Sequence, residues 1–273
     1  MASKTAFVLS GGGASAAWQV GAVKAFLRAE IFPDVITANS AGSLNAVGLS
    51  YAGIDELESM WLSIQERKDV FSQPWPTGLS ILFNRISLMS SKPLRQKIEK
   101  LMKGRSAKWP ICVNSVSLKT GRLKNTWDHE PDFPDQVIAS ASIPIVVEPV
   151  KGEWVDGGIR ENSPVRAAIE AGADKIFLFL NSPKERLPLI RDGNKIDSIR
   201  EIGARVLSIM MDEALTGDIA SKEILDSEKK IELIFVQPDK EYLGTMDFDH
   251  LKIQNAITKG FNEAQRLIEG LKK

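Results

Sequence analysis

The sequence is poor in the residues that build disulfides and metal sites. It has one cysteine, Cys112, and two histidines, His129 and His250, which lie far apart along the chain. A single cysteine cannot form an intramolecular disulfide, and no cysteines and histidines are spaced like the ligands of a metal. We therefore expect no metal and no cofactor, and the sparing use of cysteine predicts a reducing, cytoplasmic compartment.

Long apolar runs and an excess of charge are missing as well. The opening MASKTAFVLSGGGASAAW contains only the apolar stretch AFVL, far short of the roughly 7 to 15 residues of a signal-peptide core. No apolar run approaches the roughly 20 residues of a membrane-spanning helix. Lys+Arg and Asp+Glu are both 35, so the net charge is +0, and no nucleic-acid partner is expected.

Strand-like apolar runs alternate with helical patterns along the 273 residues. Such alternation is typical of a mostly parallel sheet covered by helices. We expect a single domain over residues 1–273 with an α/β fold, a three-layer α/β/α sandwich. The predicted strands are 5–9, 35–38, 111–116, 136–141, 146–150, 175–180 and 231–236, and the predicted helices are 15–29, 44–51, 167–171, 197–215 and 249–271.

Two parts of the chain break the alternation. Residues 60–107 hold prolines and a cluster of large apolar side chains, a composition that fits either a helical packing layer or a cap over an active site. Residues 182–197 are polar, with proline and glycine, and predict an exposed loop. We expect residues 5–182 to form the core and residues 183–273 to form a C-terminal helix-strand-helix extension.

A serine follows the second predicted strand, in ITANSAGSLNA at 36–46. A nucleophilic serine on a sharp strand-to-helix turn needs small neighbours, because the backbone passes close to other segments there. Ala41 and Gly42 meet this requirement, and the A-N-S-A-G pattern approximates the G-x-S-x-G elbow. The alternative is that Ser40 caps the helix that follows, since serine is a favoured capping residue.

The first strand is followed by SGGGASAAW, which leads into a helix. Consecutive N–H groups between a strand and a helix N-terminus bind anions, either a phosphate or the oxyanion of an acyl-transfer intermediate. A dinucleotide site is the competing interpretation, with Gly11, Gly13 and Ala16 as its fingerprint and Asp34 as its acid. Asp34 precedes the second strand instead of ending it, which argues against that site.

A third loop of small residues contains an acid, in WVDGGIRENSPV at 154–165. Asp156 ends a short apolar run and precedes two glycines, so it lies where the backbone can turn sharply. An acid held at such a turn can orient or activate a nucleophile. The alternative is an ordinary Asp-Gly turn without a chemical role.

Four motifs occur together: SGGGASAAWQVGAV at 10–23, ANSAGSLNA at 38–46, ASASIPIVVEPV at 139–150 and DGG at 156–158. Their combination and order resemble the patatin-like phospholipases, of the bacterial type. The resemblance implies a serine acyl hydrolase that cleaves carboxylic esters of lipids through an acyl-enzyme. It also implies a lipid or other ester as substrate and transient contact with a membrane surface; the oligomeric state is left open.

The resemblance assigns roles to individual residues. Ser40 would be the nucleophile and Asp156 its base, and the N–H groups around Gly12 and Gly13 would form the oxyanion hole. No histidine is needed in such a dyad. The glycines with an implied supporting role in the motifs are Gly11, Gly42, Gly157 and Gly158.

Three positions depart from the family pattern. Ser15 and Ala16 stand where a basic residue and a glycine usually follow the glycine triplet, and Ala38 stands where the elbow usually has glycine. A lost positive charge would weaken the stabilisation of an anion. The alternative function is therefore a catalytically impaired relative that binds a lipid or a protein partner.

A Ser-Asp-His triad is the alternative mechanism. Ser40, Asp156 and His250 follow the chain order of the α/β-hydrolase triad. That fold normally builds several strands before its elbow, however, and only two strand-like runs precede Ser40. Because His250 also begins a helical pattern, we expect a dyad without histidine.

Overall fold

The computed structural model describes residues 3–72, 87, 89–183 and 231–272. In these residues seven strands form one mixed sheet. The strands are β1 (Thr5–Leu9), β2 (Val35–Ala38), β3 (Ile111–Ser117), β4 (Leu123–Trp127), β5 (Trp154–Asp156), β6 (Lys175–Phe179) and β7 (Glu232–Val236). Their order in the sheet is β4-β3-β2-β1-β6-β7, with β5 also paired to β3. The neighbours from β3 to β7 along this order are parallel, whereas β4 and β5 run antiparallel to β3.

Helices cover both faces of the sheet. The described helices are α1 (Ala16–Arg28), α2 (Ala41–Ala52), α3 (Ile54–Leu62), α4 (Lys92–Met102), α5 (Phe133–Ser140), α6 (Val165–Glu170) and α7 (His250–Leu271). In β1, Phe7 and Leu9 join the larger core cluster with α1, α2, α5 and α7, while Ala6 and Val8 pack on the opposite face with α6. Alternate residues of a strand point to opposite faces, so the predicted α/β sandwich with a mostly parallel sheet is confirmed.

The last helix lies against the first. Trp18 of α1 donates its indole N–H to Glu263 of α7 over 2.7 Å, and the hydroxyl of Tyr242 donates to the same carboxylate. Burial of this carboxylate is tolerated because both of its oxygens accept hydrogen bonds. The two ends of the described chain are thereby tied together. Across the described ranges we find no helix with the length and apolar character needed to cross a bilayer.

Two predicted strands are wrong. Residues 136–141 lie largely in helix α5, and a short apolar run fits a buried strand and a buried helix equally well. Pro134 in the first turn of that helix was the signal for its start. Residues 146–150 form turns and isolated bridges instead of a strand. The helix predicted over 197–215 and most of the loop predicted over 182–197 lie outside the described residues.

Candidate active site

Ser40 lies on a strained turn between β2 and α2. Its backbone has φ 54° and ψ −128°, a region that residues with a side chain rarely adopt and that costs about 1–3 kcal/mol. A Cβ on Gly42 would come within 2.1 Å of the Leu9 carbonyl oxygen, so α2 approaches the end of β1 too closely for any other residue. Ser40 occupies the capping position of α2, but its side chain makes no capping hydrogen bond.

The sheet register brings Asp156 to this turn. Strand β2 pairs with the first half of β3 and ends with Ala38 opposite Val113. Strand β5 pairs with the second half of β3, and it places Asp156 opposite Ser115. Strand β4 already occupies the other edge of β3, so β5 lies on the same side as β2 and continues its line. The carboxylate at the end of β5 therefore meets the turn that follows β2.

Asp156 is fully buried, and its two oxygens have different surroundings. Oδ1 accepts hydrogen bonds from the Asn39 amide over 3.1 Å and from the Gly158 N–H over 2.8 Å. Oδ2 makes no hydrogen bond of good geometry within the described residues, although the Ser40 side chain is close enough to favour the ionised form. One oxygen is thus held in place while the other is available to the serine hydroxyl.

Burial shifts the proton affinity of this carboxyl group. Loss of hydration raises the pKa of Asp156 from 3.8 to about 6, against the opposing effects of Ser40, Gly158 and Asn39. A carboxylate with a pKa near 6 is still ionised at neutral pH, and it is a stronger proton acceptor than an exposed aspartate. The turn therefore brings a serine hydroxyl close to a buried carboxylate whose pKa is above the ordinary value for aspartate.

The glycine loop after β1 reaches the same serine. A Cβ on Gly11 would lie 2.9 Å from the Cβ of Ser40, so the loop passes directly beside the turn. The next two residues, Gly12 and Gly13, have N–H groups for which the described residues provide no acceptor, and Gly13 adopts a φ of 58°. Ala14 anchors the loop by donating to the Thr245 carbonyl over 2.8 Å. N–H groups that have no acceptor and lie beside a nucleophilic hydroxyl can stabilise the negative charge of an acyl-transfer intermediate, as in an oxyanion hole.

The three positions that depart from the family pattern have structural roles of their own. The hydroxyl of Ser15 donates to the Gly12 carbonyl over 2.7 Å, so it fixes the loop from within. Ala16 begins α1, and its carbonyl accepts from the amide of Asn45 over 3.0 Å. Ala38 is fully buried in β2. Ser15 therefore supplies a loop contact where a cation was expected.

Several polar residues that sequence reasoning did not single out hold the site together. The Asn39 amide group donates to both Asp156 and the Asn162 side chain, the latter over 3.2 Å. The Ser140 hydroxyl accepts from the Ser40 N–H over 2.9 Å and donates to the side-chain oxygen Oδ1 of Asn39 over 3.4 Å. Asn39 is adjacent to the serine in the elbow, and Ser140 lies in the ASASIPI motif. Their positions were visible in the sequence, whereas their contacts were not.

A cavity of about 410 Å³ opens beside Ser40 and is lined mainly by apolar side chains. Ser40 and Gly13 both line it, so the elbow and the glycine loop share this space. The described part of the 60–107 segment contributes to its wall and to the core, which is consistent with both interpretations of that segment. The large apolar lining residues are Leu44, Leu57, Met60, Trp61, Ile64, Val70, Phe71, Leu94, Ile98, Leu101, Ile143, Met246 and Phe248.

The residues of the alternative mechanisms lie elsewhere. The His250 ring contacts the Ile64 carbonyl over 3.1 Å, and His129 is exposed beyond β4; neither forms a hydrogen bond with Ser40 or Asp156 in the structure as described. Asp34 accepts from the N–H of Thr5 over 2.7 Å, at the opposite end of β1 from the glycine loop. This placement contradicts the dinucleotide-site alternative. No cluster of His, Cys, Asp and Glu that could hold a metal ion occurs among the described residues.

Comparison with known proteins gives consistent results. A sequence model of the family described as patatin-like phospholipase matches residues 7–169. Patatin-like phospholipase domain-containing proteins of Pyricularia oryzae and Chaetomium globosum are 25% and 26% identical over 202 residues, which are 60% of this chain but only 24% and 23% of theirs. The chain thus spans about a quarter of the length of these relatives.

Two solved structures are also similar at 12% identity. VipD from Legionella pneumophila aligns with a TM-score of 0.48 over 98% of this chain and 67% of VipD. The type III effector protein ExoU aligns with a TM-score of 0.44 over 98% of this chain and 53% of ExoU.

The family match covers more than half of the chain, and it contains the glycine loop, Ser40 and Asp156. It begins in β1, passes through the glycine loop, the Ser40 turn and the Asp156 turn, and ends in α6. The bacterial subdivision named from the motifs stays a prediction. On the extent of this match, together with a sheet that places the three motif loops at one site, the chain belongs to the patatin-like phospholipase family.

Proposed function

We propose that the protein is a serine acyl hydrolase that cleaves carboxylic esters of lipids, with Ser40 as nucleophile and Asp156 as base. The observation that carries the proposal is a serine on a strained turn beside a buried carboxylate whose second oxygen accepts no hydrogen bond of good geometry from the described residues. Strained backbone at a turn is a common feature of functional sites. A cytoplasmic location is part of the same proposal.

The first half-reaction follows from these contacts. The Ser40 hydroxyl gives its proton to Oδ2 of Asp156 while its oxygen attacks the ester carbonyl carbon. The negative charge that develops on the carbonyl oxygen is stabilised by the N–H groups of Gly12 and Gly13. The intermediate then collapses to an acyl-serine, and the departing alcohol takes the proton from Asp156.

In the second half-reaction a water molecule replaces the alcohol. Asp156 removes a proton from the water as it attacks the acyl carbon, and the same N–H groups stabilise the second intermediate. The proton then returns to the Ser40 oxygen, and a carboxylic acid leaves. Asn39 and Gly158 hold Oδ1 during both steps, so the base keeps its orientation.

The apolar cavity supports a lipid as the source of the ester. Cavities of roughly 300–1,000 Å³ are typical of small-molecule sites, and the one beside Ser40 is about 410 Å³. More than half of the residues that line it are apolar, and such a surface favours a hydrocarbon chain over a polar acyl group.

A catalytically impaired, lipid-binding or protein-binding relative is the second candidate function. The observation that favours it is the Ser15 contact to the Gly12 carbonyl, which replaces the basic residue that the family usually has beside the oxyanion site. Loss of one oxyanion contact can cost about a hundredfold to a thousandfold in turnover. A protein of this kind would keep the cavity and lose most of the chemistry.

Covalent labelling separates the two candidates. We expect a fluorophosphonate to label Ser40, with the modified peptide identified by mass spectrometry, and a chromogenic ester to give a burst that is absent in Ser40→Ala. Ser50→Ala is the matched control. Ser50 is a buried serine of α2, the helix that follows Ser40, and its hydroxyl donates to the Trp109 carbonyl. A folded protein that resists labelling and shows no burst would support the impaired relative instead.

A further inference from the structure

A strongly basic segment adjoins the cavity although the whole chain is neutral. Residues 92–108 contain seven lysines and arginines and one acid, Glu99, whereas the rest of the chain contains 28 basic and 34 acidic residues. Most of the segment is α4, whose apolar side chains Leu94, Ile98 and Leu101 are buried. The helix is therefore amphipathic, with its positive charge on the outer face.

Three of these cations line the opening of the cavity. Lys97, Lys100 and Arg105 line the same cavity as Ser40, and all three are exposed, so they lie where the cavity meets solvent. Arg105 is neutralised by two hydrogen bonds to Glu56.

Three lysines of the segment, including Lys100, form no ion pair among the described residues. Lys92, Lys100 and Lys103 are exposed, and none of them has an acidic partner within 4.0 Å in the described part of the chain. Charges without a counterion attract an anionic surface most strongly.

An exposed isoleucine lies in a loop that contacts the segment just before α4. Ile145 is 69% exposed and has a φ of 72°, a conformation that is unfavourable for a β-branched residue. Its loop is joined to the residues before α4, because the N–H of Met89 donates to the Val146 carbonyl over 2.8 Å. Ile143, two residues earlier, lines the cavity. A large apolar side chain is thus held out into solvent next to both the basic helix and the cavity.

We propose that the outer face of α4 and Ile145 together dock on a bilayer that contains anionic lipids. The lysines bind the negative head groups, Ile145 enters the boundary between head groups and acyl chains, and the cavity opening then faces the lipid. The inference rests on the proposed function, since the bilayer is taken as the source of the ester.

Vesicle cosedimentation tests the docking without turnover. The Ser40→Ala variant of this chain is mixed with vesicles of phosphatidylcholine, alone or with phosphatidylserine. We expect strong binding only to the mixed vesicles, with a decrease as salt rises. Lys92→Gln/Lys103→Gln should weaken this binding about 30-fold, because each basic residue near an anionic surface contributes about fivefold.

The matched control is Lys259→Gln/Lys272→Gln, which removes the same charge from exposed positions at α7 and should leave vesicle binding unchanged. Ile145→Asn should weaken binding about tenfold through loss of apolar insertion. Its melting temperature should equal or exceed that of the parent, because asparagine tolerates positive φ. A melting temperature at or above that of the parent would exclude misfolding as the cause of weaker binding in this variant.

A second assay distinguishes the docking proposal from the hydrolase proposal. The same surface variants are made in the protein that retains Ser40, and their hydrolysis of a soluble short-chain ester is measured. Lys92, Lys103 and Ile145 do not line the cavity, so their variants should keep this activity. Equal binding to neutral and mixed vesicles, or an equal loss in the control pair, would overturn the docking surface and leave the hydrolase intact. Vesicle binding without any ester hydrolysis would support the docking surface and refute the hydrolase.

Discussion

Replacing Asp156 with asparagine tests the base through two independent measurements. The change keeps the size of the side chain and an oxygen that can accept from Asn39 and Gly158, but it removes the ionisable group. If the carboxylate accepts the serine proton, hydrolysis should fall by about a hundredfold to ten-thousandfold. In the wild type, activity on a soluble ester should rise as the pH increases through about 6, where Asp156 ionises.

The stability effect can be worked out from the same pKa. Each pKa unit corresponds to about 1.4 kcal/mol, so the rise from 3.8 to about 6 corresponds to about 3 kcal/mol. Because the folded pKa is raised, this stability is fully present below about pH 4 and is lost as the pH rises through about 6. The asparagine variant has no such loss. Relative to the wild type, its free energy of unfolding should therefore increase by about 3 kcal/mol between pH 4 and pH 8.

Urea unfolding at both pH values, in parallel with ester hydrolysis, measures the two effects. Asp132→Asn is the control of opposite sign, because a hydrogen bond from Lys124 is the main effect that lowers the pKa of Asp132. That variant should lose stability relative to the wild type as the pH rises. The reasoning about Asp156 is refuted if its variant shows no pH-dependent gain in stability, or if it keeps hydrolytic activity.

Three further predictions address the elbow, the triad and the glycine loop. Gly42→Ala should destabilise the fold by about 1–3 kcal/mol in urea unfolding, because its Cβ would overlap the end of β1; Gly270→Ala, with open space around it, should not. His250→Gln should keep most of the ester hydrolysis, and a thousandfold loss in a folded variant would establish a triad. Ser15→Arg with Ala16→Gly should raise hydrolysis of anionic phospholipids more than that of neutral short esters, and an unchanged ratio of the two rates would exclude head-group recognition by this loop.

The sequence was sufficient to predict the loops of the candidate site, because glycine and small residues at strand ends are local signals. Sharp turns or close approaches of backbones are indicated at three places: the SGGG loop, the small residues around Ser40 and the DGG turn. The strand-helix alternation likewise predicted a mostly parallel sheet. These inferences need only the order of residue types along the chain.

The meeting of Ser40 and Asp156 could not be predicted from residue order alone. It depends on β5 continuing the line of β2 along β3, and β5 is only three residues long. The antiparallel strand β4, which fills the other edge of β3, was not predicted either. Its sequence, LKNTW, has polar residues in the middle and carries little of the apolar alternation of a half-buried strand.

The hydrogen-bond network around Ser40 could not be predicted from residue order either. Asn39, Ser140 and Asn162 are polar and buried, whereas such residues are mostly exposed in proteins, so composition alone would have placed them in solvent. Their burial is tolerated because each forms a hydrogen bond with another residue of the site, and the partners are 100 residues or more apart in the sequence. Removing one member would leave its partner unsatisfied, at a cost of about 1–3 kcal/mol. The network therefore holds Ser40 in its strained conformation. This role depends on the contacts between the residues, so no single residue type in the sequence predicts it.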